Sequence, residues 1–182
     1  MRTTINDGTG SGNKAGVQAN ALAVSTATEA LKANLRGDCY SVLSDVTPAG
    51  GATQDFFYLM NNDSRDLVIF KIEGWYDDAK QEISVYLGAT DAGTAAGDVL
   101  TPVNMNSGSG NAANVTCTQD ITDLAITGGS VVTILKFSET ALLLSTFDFP
   151  AGIIVAPGTR LHLQDLLLGL HNTNVYFYFR EA

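Results

Sequence analysis

Positive charge is scarce in this chain: ten Lys and Arg stand against nineteen Asp and Glu, for a formal net charge of -9. The basic residues also stand singly, at Arg2, Lys14, Lys32, Arg36, Arg65, Lys71, Lys80, Lys136, Arg160 and Arg180. Binding to nucleic acid draws most of its free energy from clustered cations that release counterions, so this distribution excludes that class. Anchoring to an anionic membrane is excluded on the same ground. Charged residues make up only 16%, against about a quarter in ordinary domains. A surface so thinly charged suits one that is partly covered by other protein. Cysteine is limited to Cys39 and Cys117, which leaves either one bridge or two free thiols, the thiols being expected in a reduced cytoplasm. The apolar runs, such as Ala141 to Leu144 and Leu166 to Leu168, fall far short of the roughly 20 residues of a membrane span. Met1 and Arg2 are followed by polar residues, not the apolar core of a signal peptide, so the expectation is a soluble protein made in the cytoplasm.

Aromatic residues are missing from one end. Met1 to Arg36 contains none and consists mainly of Gly, Ala, Ser, Thr and Asn. Such a stretch has too little apolar bulk to pack a core, and is expected to be ordered by contact with another surface. Asp7-Gly8 and the alternating Gly8, Gly10 and Gly12 favour turns and extended backbone. Ala15, Val17, Ala19, Ala21 and Ala23 alternate with small or polar residues, as in a strand. From Ala21 to Leu35 a helix competes with an extended course; Val24, Ser25, Thr26 and Thr28 weigh toward extended. The division predicted is an extended N-terminal arm over 1–36 and a body over 37–182.

The body reads as strand after strand. Cys39 to Leu43, Asp55 to Met60, Asp66 to Tyr76 and Glu82 to Gly88 alternate or are rich in β-branched and aromatic residues. In the third of these, Leu67, Ile69 and Lys71 are predicted on one face and Val68, Phe70 and Ile72 on the other. Thr90 to Asp98 and Asn104 to Asn114 are Gly- and Asn-rich and suit long sandwich loops that meet a partner or ligand, or linkers. Short strands are predicted at Asn114 to Thr118, Ile121 to Ile126, Val131 to Phe137, Ile153 to Val155 and Arg160 to Asp165. Pro157-Gly158 marks a type II turn. Val175 to Phe179 closes the chain, with Val175, Phe177 and Phe179 inward and Tyr176 and Tyr178 on the opposite face. Short, evenly spaced strands with Gly and Pro turns predict an all-β, antiparallel β-sandwich of the jelly-roll form.

Chemistry finds little support. Gly10-x-Gly12-x-x-Ala15 has the outline of a dinucleotide fingerprint but lacks the preceding buried strand. Asp7, Thr9, Ser11 and Asn13 alternate oxygen ligands as a calcium loop does, but Gln18 stands where the closing acid belongs. His162, on the polar face of a strand, and His171, in a turn, lack nearby partners for zinc. No Gly-x-Ser-x-Gly elbow occurs. Neither catalytic residues, a cofactor nor a metal is expected. Trp75, Tyr76 and Asp77 form a possible glycan contact, or else the rim of the core. Tyr176 and Tyr178 are candidate interface residues of the body, since tyrosine is enriched at protein interfaces; the alternative is packing under a loop of the same chain. In the arm the candidate interface residues are Ile5, Val17, Leu22, Val24 and Leu31.

Thr3 to Gly12 followed by Ala15 to Val24, and Pro102 to Ala112, resemble stretches of tailed-bacteriophage virion proteins. Phe149 to Thr159 is similar to the penultimate hairpin of phage jelly-roll subunits. The resemblance implies a virion structural protein, and within that group a head decoration, or cement, protein placed as a homotrimer on the outer capsid surface. Its partners would be the major capsid protein and copies of itself. The acidic charge fits a position away from packaged DNA. A tail, neck or fibre-attachment component, or a carbohydrate- or receptor-binding module, are the alternatives.

Overall fold

A computed structural model describes residues 4–6, 14–18, 21–23, 28–46, 53–76, 82–89, 97–120, 124–137, 143–165 and 171–181. Three short strands come first: β1 (Thr4–Asn6), β2 (Lys14–Gln18) and β3 (Ala21–Ala23). Helix α1 (Glu29–Arg36) follows, then β4 (Cys39–Val46), β5 (Gln54–Asn61), β6 (Leu67–Tyr76) and β7 (Glu82–Ala89). Three short strands, β8 (Asp98–Leu100), β9 (Val103–Asn104) and β10 (Val115–Gln119), precede β11 (Gly128–Lys136) and β12 (Ser145–Val155). The last two are β13 (Arg160–Asp165) and β14 (His171–Phe179).

Two antiparallel sheets pack face to face, in the orders β12-β6-β14-β4-β9 and β11-β7-β13-β5-β10-β8. The chain crosses between them at almost every step: β4, β6, β12 and β14 lie in one, and β5, β7, β11 and β13 in the other. That alternation is the jelly roll. Strands β8, β9 and β10, inserted between β7 and β11, lengthen both sheets on the side of β4 and β5. The inward faces bury one continuous core that includes Tyr40, Phe57, Leu59, Ile69, Ile72, Val85, Leu163 and Phe177. The Tyr40 ring stacks on Phe177 at 5.6 Å and meets the edge of Phe179 at 5.9 Å.

The facing of β6 departs from simple alternation. Strand β14 pairs Tyr176 with Lys71 but Phe177 with Ile69, so Phe70 has no partner in the ladder. This bulge turns Phe70 and Lys71 both outward and sends Ile72 into the core beside Leu67 and Ile69. Ile72 is therefore on the face opposite to the one its position predicts. The bulge answers the chemistry: unbroken alternation would bury Lys71 and expose Ile72.

Other expectations shift as well. Residues 29–36 are helical, not extended. Thr28 caps the start by accepting from Leu31 N at 3.2 Å, and Gly37, at φ 80, closes the end. The β-branched residues that diluted the helical signal all precede the helix. Asn104 and Asn106 donate from their side-chain amides to the Gly37 and Asn34 carbonyls, at 2.7 and 2.9 Å. The Asn-rich loop thus caps its own helix. No strand forms over Leu124 to Thr127: Leu124 N donates to the Asp55 carbonyl and Ile126 N to the Asp55 carboxylate. His171 opens β14 instead of lying in a turn, its backbone paired with Val46 and Tyr76. The turn at Pro157-Gly158 forms as expected, with Thr159 N donating to the Ala156 carbonyl and Gly158 at φ 71.

The bulge sets a contrast between neighbours. Ile72→Ala should cost about 2–5 kcal/mol in urea unfolding, as a core truncation does. Lys71→Ala should cost under about 1 kcal/mol, the value of a half-exposed ion pair. Equal costs would place both side chains in the same environment and remove the bulge.

Candidate assembly surfaces

Tyr176 and Tyr178 lie on the outer face of the β12-β6-β14-β4-β9 sheet, both half-buried by their own chain. The Tyr176 hydroxyl donates to Glu73, accepts from Asn174 Nδ2 at 3.1 Å, and the ring carries Lys71 Nζ 4.0 Å from its centroid. Lys71 in turn pairs with Glu73 at 2.8 Å. Burial and then the Glu73 hydrogen bond push the Tyr176 phenol up to about 12. Burial alone would raise Glu73; hydrogen bonds from Lys71 and Tyr176 outweigh it and hold the carboxyl below its usual value. The network is built from β6 and β14 and fixes the tyrosine in place.

Tyr178 packs against Phe70, with ring centroids 5.9 Å apart. The two form part of the floor of an open cleft of about 520 Å³ between the start of α1 and a bulge in β12. The bulge spans four residues: Asp148 pairs with Lys71 and Ile153 with Ile69, so Phe149 to Gly152 leave the ladder. Gly152 stands at φ 72, and a Cβ there would come within 2.3 Å of Val68 Cγ1. Only glycine fits this bend.

Of the residues proposed to hold a glycan, Trp75 and Tyr76 point to opposite sides of their sheet. Trp75 faces outward and is half-buried, whereas Tyr76 is 2% exposed, with its ring 4.4 Å from Phe137 in the core. Neighbouring strand residues point to opposite sides of a sheet, so these two cannot grip one ligand. Asp77 lies outside the described residues.

Of the arm residues, Ile5, Val17 and Leu22 fall on a separate antiparallel sheet in the order β1-β2-β3, with Ile5 opposite Ala15 and Val17 opposite Leu22. Among the described residues that sheet shares no hydrogen-bonded neighbour with the body sheets. Val24 lies outside the described residues. Leu31 is on α1 and exposed. The helix itself packs on β4 and β14 and buries Ala33.

The sequence reading passed over several exposed large hydrophobics, and the register divides those on strands between the two outer faces. Val131, Ile134 and Val99, opposite Tyr86, Ser84 and Thr118, lie on the outer face of the six-stranded sheet. Leu43, Val103 and Ile154, opposite Asn174, Ser41 and Val68, lie on the outer face of the five-stranded sheet. Among the described residues, the strands ending each sheet have a neighbouring strand on one side. Strands β8 and β9 blunt that edge by having only 3 and 2 residues, and β12 does so with Pro150 and its bulge. Strand β11, with 9 residues, has the register shift between Val131 and Thr133 and an exposed Lys136.

The outer face of the six-stranded sheet holds a polar cluster. His162 was expected on an open polar face; it is 2% exposed instead, stacked on Tyr86 at 4.5 Å, with Nε2 3.4 Å from Asp55 Oδ1. Gln164 Nε2 donates to the same oxygen at 3.2 Å. Cys39 and Cys117 are buried and unpaired, and burial pushes their thiols up to about 11 and about 12. Among the described residues no cluster of three or more His, Cys, Asp or Glu is placed to hold a metal ion, and no helix is long and apolar enough to cross a membrane.

Burial lowers the His162 imidazole from 6.5 to about 4. Between those values the unfolded chain binds the proton more tightly, so folding stability falls as pH drops through the window. The loss approaches about 3 kcal/mol. His162→Gln lacks this component, so acidification from neutral pH to about 4.5 should cost the wild type more than the variant in urea unfolding. A wild type that gains on the variant in that range would mean that Asp55 holds the imidazole charged.

No family model, no curated protein and no solved structure matches the chain.

Proposed function

We propose that the chain is a structural subunit of a tailed-bacteriophage virion. In this reading it is an outer capsid decoration protein that works as a homotrimer and lays its N-terminal arm on neighbouring subunits. The observation that carries the proposal is the separate β1-β2-β3 sheet. Its strands of 3, 5 and 3 residues come from a stretch of mainly Gly, Ala, Ser, Thr and Asn, which lacks the hydrophobic face that a small independent sheet requires. In this reading the surface they meet supplies their order.

Three further features agree. The jelly-roll body supplies a platform with aliphatic side chains exposed on both outer faces. The net charge of -9 suits an outer position, away from packaged DNA. The stretches that resemble phage virion proteins lie in the arm, in the Asn-rich loop and in the β12 bulge, and the last two shape the surface of the body. An arm adds main-chain hydrogen bonds when its strands join an open edge. Three arms on one particle multiply weak contacts into tight attachment. The same logic would serve a tail, neck or fibre-attachment part, which differs in being present in a few copies instead of hundreds.

The test is attachment to capsids by a chain lacking residues 1–27. That cut spares α1, whose Ala33 is buried and whose carbonyls are capped by the body. The truncated chain should keep its thermal unfolding yet bind capsids at least about tenfold more weakly, because the arm's contribution to avidity is gone. Unchanged affinity would defeat the arm mechanism.

A further inference from the structure

We propose that Asp55 and His162 form an acid-operated latch: the carboxylate holds the segment 124–127 closed ahead of β11, and protonation of the imidazole releases it. The device is internal to the sandwich and does not depend on the assembly reading above.

The segment is strained where it is held. Ala125 stands at φ 51, in the left-handed region that a residue with a Cβ keeps only when its surroundings enforce it. Both neighbours of Ala125 are tied to a single residue. Leu124 N donates to the Asp55 carbonyl at 2.9 Å, and Ile126 N to Asp55 Oδ2 at 3.0 Å. Leu124 is buried, with its Cδ2 so close to Gly97 that a Cβ added there would come within 2.9 Å. A strained turn, shut over a buried leucine by two bonds to one residue, opens when one of those bonds weakens.

The other oxygen of the same carboxylate faces His162. Asp55 Oδ1 lies 3.4 Å from His162 Nε2 and accepts from Gln164 Nε2 at 3.2 Å. The imidazole is buried, and among the described residues its Nδ1 has no hydrogen-bond partner. With the proton on Nε2, facing Asp55, Nδ1 is a bare acceptor. A second proton turns Nδ1 into a buried charged donor with nothing to receive it. The imidazolium also draws on the carboxylate that Ile126 N needs. Water relieves both conflicts once the segment lifts.

The neighbours give the imidazolium no second partner. Among the described residues, the titratable or charged groups beside His162 on this face are Tyr86 of β7, Asp55 and Tyr58 of β5, and Arg160 of β13. The Tyr86 hydroxyl donates to Gln164 Oε1 at 3.2 Å, and the Tyr58 hydroxyl accepts from Arg160 Nε at 3.0 Å. Thr118 of β10 and Val131 of β11 complete the row without charge. The Lys136–Glu82 pair lies at the far end of β7, and residues 124–127 bring no titratable side chain. Burial lowers the imidazole from 6.5 to about 4 while the segment is closed, and opening returns it to the ordinary value. The closed form thus binds the proton less tightly, so the latch holds above 6.5 and loosens as pH falls from there toward 4.

Amide hydrogen exchange of the full chain, read by nuclear magnetic resonance, tests the latch. Protection of the Ile126 amide should fall about 30-fold between about pH 7.5 and 5, the ratio set by those two proton affinities. It should stay below the protection of Val175, in the middle of β14, throughout that range. In His162→Gln the fall should shrink to about threefold or less. Ala125→Gly removes the strain, so it should raise Ile126 protection about threefold or more at both ends of the range and keep the pH dependence. Circular dichroism verifies that each variant is folded; should His162→Gln not fold, the wild-type profile and Ala125→Gly still decide. Ile126 protection that ignores pH would overturn the proposal, as would an equal fall in His162→Gln. So would equal protection of Ile126 and Val175, which would mean that the segment opens only when the whole chain unfolds.

Discussion

Strand β14 sets the conditions for the rest of the structure. It lies between β6 and β4, near the middle of its sheet, and must bury Val175, Phe177 and Phe179 while holding Tyr176 and Tyr178 outside. Each buried ring contributes roughly 2–3 kcal/mol of burial free energy. The stack of Tyr40 on Phe177 joins β14 to β4 within the core. The same strand then dictates the shape of β6, whose ten residues cannot follow it in strict alternation without burying a lysine. The bulge at Phe70 resolves that conflict. It also creates the outer-face network of Lys71, Glu73 and Tyr176, so a core requirement produces a surface feature.

The jelly-roll path has a second consequence. A chain that crosses between two open sheets ends with two exposed flanks, four edge strands in all. Three of those edges carry devices that discourage pairing: two are very short and one holds a proline and a wide bulge. The fourth, β11, remains long and exposes Val131, Val132 and Ile134 beside Ser130 and Lys136, the lysine being its own guard against edge pairing.

Much of the fold could be read from the residues, because the hydrophobic period of a strand is local. Val175, Phe177 and Phe179, the alternation from Glu82 to Leu87, and the Pro157-Gly158 turn all carry their signal within a few residues. Misreadings arose where the deciding partner lies far away in sequence. The facing of Ile72 depends on β14, about a hundred residues later, and the absence of a strand at Leu124 depends on the carboxylate of Asp55. His162 is polar by type and buried by the company of Tyr86 and Asp55. The candidate surface was less legible than the core. The outward facing of Tyr176 and Tyr178 was legible, since strand alternation sets it, but the register shift beside Val132 is announced by no local pattern. Trp75 and Tyr76 were grouped because they are adjacent, and adjacency in a strand is what separates them.

Sedimentation equilibrium of the intact chain bears most directly on the central proposal, that copies of this molecule associate with one another. The account predicts a closed oligomer, with a trimer as the expected species, at micromolar concentration. A wild-type chain that remains a stable monomer at high concentration would contradict it.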